Sequence, residues 1–219
     1  MNERARLKAG LECIGIATLS DKTIGDLLCF LDELLEWNKR VNLTAIKERD
    51  EAIEKHLVDS LTVCSLIAEG SSVLDLGSGG GFPGIPLKIV RPDIRALLVD
   101  AVLKKVLFQR HACRMLGLKG IDSWHGRAEN LSNDKKMRGA FDVVVSRAFS
   151  DLESFVRLAD PYLRAGGQVV CMKGPEGLAE YDGMKEGILG LGFCCRETKP
   201  LTLPFSGAKR TILVLERRD

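Results

Sequence analysis

Val73-Leu74-Asp75-Leu76-Gly77-Ser78-Gly79-Gly80-Gly81-Phe82-Pro83-Gly84 is the stretch that decides the fold. Its first four residues read as a short, mostly apolar strand. The glycines then turn the chain sharply, and Pro83 suits the first turn of a helix expected over 82–90, which Pro92 closes. A strand that leaves a glycine turn as a helix points the unpaired N–H groups of that helix at whatever lies above the strand. A second apolar strand, 96–100, ends in Asp100, roughly 20 residues beyond the turn. A carboxylate at that place can accept both hydroxyls of a ribose.

Three readings of the turn compete. Gly79-x-Gly81-x-x-Gly84 has the form of the dinucleotide fingerprint, and by itself that form is weakly specific. Asp75 argues against it, because an acid two residues before the first glycine repels a pyrophosphate. The same acid suits a cation such as S-adenosylmethionine, with its ammonium and sulfonium. The third reading is a tight turn that holds no ligand.

Working outward, strands and helices alternate. Helices are expected over 103–116, 152–163 and 176–191, and strands over 121–125, 141–146, 168–172, 193–197 and 211–216. Near-continuous apolar strands separated by helices imply a parallel sheet covered on both faces. The last two strands have no helix between them, only an expected long loop at 199–210, so they must run antiparallel. Upstream of the turn the chain reads as helices. Ser20 or Asp21 caps one with Ile24, Leu27, Leu28, Leu31, Leu34 and Leu35 at helical spacing, and a second is expected over 50–68. The division expected is a helical extension, 1–70, and one compact domain, 71–219.

Composition limits the function classes. With 45% hydrophobic and 28% charged residues, the chain has enough apolar material for a core without staples. No run of about 18 apolar residues lacks a charge, so no membrane span is expected. Glu12 interrupts the modest apolar stretch near the start, which does not suit a signal peptide. A net charge of +2 neither demands nor excludes nucleic acid, so local clusters decide that question. The seven cysteines are irregularly spaced with no C-x-x-C, and read as reduced thiols, mostly buried, in a cytoplasmic protein. The three histidines, His56, His111 and His125, are not at ligand spacing, so no metal is expected.

Several motifs stand together in order: Asn42-Leu43-Thr44-Ala45-Ile46, His56-x-x-Asp59-Ser60, the glycine turn with Ile85-Pro86-Leu87, Lys104-Lys105, Ser146-Arg147-Ala148-Phe149 and Lys173-Gly174. From about Leu34 onward the chain resembles the bacterial 16S ribosomal RNA guanine-N7 methyltransferases, the glucose-inhibited division protein B family. The resemblance implies a Rossmann-like class I methyltransferase fold: an α/β protein with a mostly parallel seven-stranded sheet, an antiparallel last strand, helices on both faces and an N-terminal helical extension. It implies S-adenosylmethionine as cofactor, and N7 of a guanosine in 16S rRNA or the small ribosomal subunit as target; for the oligomeric state, on which the sequence is silent, a monomer is the default expectation. Cofactor contacts implied are Gly77 and Phe82, Ala128 and Glu129 after the third strand, and Arg147 after the fourth, beside Asp75, Gly79 and Asp100 from the turn itself. Ala101 stands where similar sequences commonly have serine.

N7 of guanine has an in-plane lone pair and no proton, so its methylation calls for positioning and electrostatics rather than a general base. Arg147, His56 and Asp59 are the candidates for positioning. His56, Asp59 and Ser60 share a helix face, where they either line the target pocket or form a structural hydrogen-bond cluster. Arg147 could bind phosphate, guanine or the cofactor's carboxylate, or could pair with Asp142 or Asp151. Glu129 is a candidate for the adenine edge, and Trp37 and Trp124 fit core packing better than base stacking. Phosphate contacts are expected from Lys104, Lys105, Lys135, Lys136, Arg138, Lys173, Lys199, Lys209 and Arg210, which fall near strand ends and loops. Two other functions remain open: a nicotinamide-dependent oxidoreductase, and a non-catalytic RNA-binding or ribosome-assembly factor.

Overall fold

All five residues of β1 (Ser72–Leu76) are buried, as a central strand covered on both faces must be. The structure, a computed structural model, describes residues 2–16, 19–147, 149 and 151–218. β1 pairs in parallel with β2 (Arg95–Asp100) on one side and β4 (Phe141–Ser146) on the other. β3 (Ile121–His125) and β5 (Leu163–Lys173) extend the parallel array. β7 (Lys209–Arg217) runs antiparallel between β5 and the edge strand β6 (Phe193–Thr202). The sheet order is β3-β2-β1-β4-β5-β7-β6. The order reverses between β1 and β4, and in such sheets the crevice for a ligand opens at the carboxyl ends of those two strands.

Alternation along the strands makes two cores. Val73, Val143, Val145, Val170, Met172 and Ile212 face one side, and Leu74, Leu76, Val144, Val169, Leu213 and Leu215 the other. The second side is covered by α8 (Leu152–Ala159) and α9 (Gly177–Gly190), through Phe155, Val156, Tyr181 and Ile188. The first is covered by α5 (Gly84–Val90), α6 (Leu103–Met115) and the amino-terminal helices. Those helices are α1 (Glu3–Cys13), α2 (Asp21–Asn38), and α3 (Arg49–Ala52) continued by a π-helical segment (Ile53–Val58) and α4 (Asp59–Leu61). Leu7, Leu27, Leu31 and Leu57 are fully buried in one cluster with Val73 and Val145, so the amino-terminal helices share the sheet's core. No helix of the described residues is long and apolar enough to cross a membrane.

Several boundaries differ from the sequence reading. α1 was not expected; Asn2 caps it by accepting from Ala5 N–H at 2.8 Å. The helix expected over 50–68 runs over 49–61 and is followed by a 3-10 turn, Cys64–Leu66. The turn after β1 holds residues 79–83 out of the helix, because Gly81 and Phe82 N–H both donate to the Ser78 carbonyl at 2.8 Å. α8 stops at Ala159, short of the 163 expected, and Gly166-Gly167 lie inside β5, which starts at Leu163 rather than 168. The loop expected over 199–210 shrinks to six residues, 203–208, since Pro200 pairs with Thr211 and Thr202 with Lys209. Pro200 is tolerated there because β6 is an edge strand. The cysteines are all free, but only Cys113 and Cys171 are buried, and Cys13 and Cys29 are exposed.

Candidate functional site

Gly77 to Gly81 are held over the end of β1 by groups of β2 and α6. The Val99 carbonyl accepts from Gly77 and Ser78 N–H at 2.9 and 3.1 Å. Asp100 accepts from Gly79 N–H through Oδ2 and from Val102 N–H through Oδ1, both at 2.8 Å. Gln109, fully buried, donates to Ser78 Oγ at 2.9 Å and to the Gly79 carbonyl at 2.7 Å. Gly79 has φ +56°, in the left-handed region, and a Cβ there would meet only the Gly77 carbonyl at 4.0 Å, so the backbone is left bare.

Asp75 sits beneath the turn and is 1% exposed. Its Oδ2 accepts from Gly84 N–H at 2.9 Å, which fastens the start of α5 to β1. A Cβ on Gly84 would stand 2.9 Å from that oxygen, so only glycine allows this approach. Asp75 Oδ1 has no hydrogen-bond partner among the described residues. Burial pushes the Asp75 carboxyl well above the usual range, against the lowering effect of the Gly84 N–H. Asp75 therefore acts on the turn from below.

Two cavities meet at Gly77. One, of about 260 Å³, is bounded by Asp100, Ala101, Ala128 and Glu129 after β2 and β3. The other, of about 150 Å³, is bounded by Thr44, His56, Gly79, Phe82, Lys105 and Arg147. The first has a carboxylate and bare backbone, which suits a nucleoside. The second has cationic and polar walls. A larger cavity of about 380 Å³ lies between Ser71, Arg95 and Gln168, at the opposite ends of the strands, so size alone does not mark the site.

The second cavity's wall is one polar cluster. Arg147 leaves β4 and donates through Nη1 to the Lys55 carbonyl at 2.7 Å. Its Nη2 lies 3.3 Å from His56 Nδ1, and its guanidinium carbon stands 5.1 Å from the centre of the Phe82 ring. The His56 imidazole stacks on Phe82 with centroids 4.5 Å apart and planes 13° from parallel. Asp59, 3% exposed, takes Arg210 Nε on both oxygens at 3.0 and 3.2 Å and lies 3.8 Å from Arg147. Burial, aided by the Arg147 charge, pushes His56 down to about 3, so its ring is neutral. Burial raises the Asp59 carboxyl, against the two arginines. Arg147 therefore meets Asp59 and His56 rather than Asp142 or Asp151, the alternative partners of the sequence reading, because the helix 49–61 brings Lys55, His56 and Asp59 to its guanidinium.

The expected phosphate contacts divide. Lys104, Lys135, Lys136, Arg138 and Lys209 are exposed, and Lys105 is half-buried at the cleft wall. Lys173 is 9% exposed; its ammonium reaches Glu180 Oε1 at 2.8 Å and the Phe149 carbonyl at 2.9 Å. Arg210 is engaged by Asp59. Ser60 is fully buried and Ala148 lies outside the described residues. Trp37 packs on Phe108 and His111, and Trp124 packs against the second core. Sequence reasoning missed Gln109, which holds the turn, and Asn38, which clamps the loop before α3. Asn38 accepts from Leu43 and Thr44 N–H at 2.8 and 3.0 Å and donates to the Thr44 carbonyl at 2.9 Å. It missed Glu54 too, whose buried carboxylate accepts from Phe205 and Ser206 N–H at the tip of the β6–β7 hairpin. The signal available was polarity on an otherwise apolar helix face, which names no partner.

A model of the family described as rRNA small subunit methyltransferase G matches residues 23–204. A protein of Syntrophotalea carbinolica named ribosomal RNA small subunit methyltransferase G is 44% identical over 214 residues, covering 97% of both chains. One of the same name from Geobacter metallireducens is 42% identical and covers 100% of this chain and 99% of its own. Among solved structures, a SAM dependent methyltransferase from Aquifex aeolicus aligns with a TM-score of 0.60 at 13% identity, over 80% of this chain and 96% of its own. M. jannaschii TYW2, solved in complex with AdoMet, aligns with a TM-score of 0.59 at 13% identity over 79% of each chain. At those identities the structures speak for the fold alone.

Proposed function

This chain belongs to the rRNA small subunit methyltransferase G family, and on that premise we propose that it methylates N7 of a guanosine in 16S rRNA of the small ribosomal subunit, with S-adenosylmethionine as methyl donor. Residues 71–219 form the methyltransferase domain of this reading and 1–70 its helical extension. The enzyme works in the cytoplasm as a monomer. The observation that carries the reading is the cleft at the strand-order reversal, with its tethered glycine turn between a nucleoside-sized cavity and a cationic one.

The residues fit the donor. Asp100 has spare lone pairs beyond its two backbone bonds, and these face a cavity with Ala128 and Glu129 on its far side. Gly77 and Gly79 offer backbone that a side chain would block, Asp75 supports them from beneath, and Phe82 closes the side toward His56. Bound there, S-adenosylmethionine supplies an electrophilic methyl group.

Arg147 and Phe82 border the space left for the base. Arg147 is a fixed charge, held by Lys55, His56 and Asp59, so it needs no reorganisation when a guanine enters. No proton has to leave N7, and Asp59, the buried acid beside Arg147, is occupied by two arginines. Lys104, Lys105, Lys135, Lys136, Arg138 and Lys209 carry the phosphate contacts. An oxidoreductase has no support from the family. A relic that only binds RNA is disfavoured, because the turn keeps Asp75, Asp100 and its glycines. The test is transfer of labelled methyl from S-adenosylmethionine to small subunits from cells lacking this protein, with mass mapping of the product. A single new methyl on a guanosine of 16S rRNA is expected, and no transfer refutes the assignment.

A further inference from the structure

Thr44 lies in the second cavity with three hydrogen-bonding capacities, and two of them are already used. Its Oγ1 accepts from Ile46 N–H at 3.1 Å. It also lies 2.8 Å from His56 Nε2, and the roles in that contact follow from the other side of the ring. Arg147 can only donate, so His56 Nδ1, facing it at 3.3 Å, is the acceptor. The ring is neutral, so its one proton sits on Nε2 and is donated to Thr44. A hydroxyl has two acceptor lone pairs and one O–H. Both lone pairs are spent, and no described residue accepts the O–H, so Thr44 presents a donor that cannot turn round and accept. Asn38 fixes the backbone that carries it.

We infer that the Thr44 hydroxyl, held as an obligate donor by Arg147 through His56, hydrogen-bonds O6 of the target guanine and selects guanine over adenine. The inference rests on the guanine-N7 reading above. Guanine shows two acceptors, N7 and O6, side by side on one edge. Adenine shows an acceptor at N7 and an N6 amino donor where O6 would be. A donor beside the reacting N7 therefore meets a partner in guanine and a second donor in adenine. A polar site built for one pattern discriminates strongly against its opposite, because the mismatched groups are left unpaired. Thr44 is thus a specificity-determining residue, and Arg147 and His56 set its polarity as positioning residues.

The experiment measures single-turnover methylation of small subunits that carry either guanosine or 2-aminopurine riboside at the modified position. 2-Aminopurine keeps N7 and lacks O6. Wild type, Thr44→Val and Thr44→Ser are compared, with S-adenosylmethionine affinity measured by calorimetry. On guanosine, Thr44→Val should fall about 10-fold and Thr44→Ser should stay within about 3-fold of wild type. On 2-aminopurine, Thr44→Val and wild type should be equal, since the bond is already gone. Cofactor affinity should be the same in all three. Equal losses for Thr44→Val on both bases overturn the inference, as does a cofactor affinity that falls in step with the rate. If Thr44→Val does not fold, the wild type still decides, because equal rates on both bases overturn it. Absence of any wild-type transfer to guanosine refutes the functional reading itself, a different failure.

Discussion

Replacing Asp100 by alanine removes two backbone tethers of the glycine turn at once. Asp100 is 6% exposed, and its two oxygens hold Gly79 and Val102 N–H at 2.8 Å each. A hydrogen bond to a charged group contributes about 1.5–3 kcal/mol, so the pair contributes about 3–6 kcal/mol when both N–H groups stay dry. Water can enter from the nucleoside cavity, and Val99 and Gln109 still hold the turn, so the lower bound applies. For a chain of this size about 3 kcal/mol lowers Tm by about 6–12 °C. Asp100→Asn keeps one acceptor oxygen but turns an amide toward the other N–H, and should fall about halfway. The same order, wild type above asparagine above alanine, is expected in S-adenosylmethionine affinity, with a loss of at least about 10-fold for alanine, the worth of a single charge-assisted bond. Thermal unfolding and calorimetry on the same preparations measure both. A Tm of Asp100→Ala within about 1 °C of wild type refutes the tether argument. A clear fall in Tm with unchanged cofactor affinity refutes the placement of the cofactor on this turn.

Three further outcomes are expected. Nitrogen NMR of His56 should show a neutral ring protonated at Nε2 from pH 8 to 5; a titration midpoint near pH 6.5 contradicts the buried stack. Because the unfolded imidazole takes a proton the folded one refuses, the His56 contribution to stability is full above about pH 6.5 and shrinks as pH falls toward about 3. The single-turnover rate should be nearly flat from about pH 6.5 to 8.5, since N7 carries no proton to remove; a log-linear rise abolished by Asp59→Asn points instead to a proton-bearing nucleophile. Charge reversal of Lys135, Lys136 and Arg138 should leave cofactor affinity intact and flatten the salt dependence of RNA binding by about 0.7–0.9 per lost contact in log–log slope; an unchanged slope makes that cluster plain surface.

The parallel strands were legible because burial on both faces forces apolar runs, as in Val143-Val144-Val145. β6 was read as mostly loop beyond Glu197, since an edge strand needs no apolar run and can hold Thr198, Lys199 and Pro200. Asp100 was legible because the turn and the acid stand at a spacing set by one strand–helix–strand unit. The partners of Arg147 were not, because Asp59 and Lys55 come from a helix about 90 residues earlier, and nearby sequence offered only Asp142 or Asp151 as an alternative pairing. The roles of Gln109 and of Thr44, the latter named only within a motif, were not legible for the same reason: what they do depends on which groups the fold brings to them.

The clasp between the helix 49–61 and the β6–β7 hairpin bears on the order in which the protein can be made. Glu54 waits for Ser206, and Asp59 for Arg210, which follows it by 151 residues. A nascent chain that already carries the glycine turn, both cavities' backbone and Arg147 still lacks the cation that holds Asp59 on both oxygens. Synthesis of the hairpin is thus the last act that completes the wall of the cleft. A nick or truncation that takes only residues 203–210 undoes a site whose other parts were finished long before.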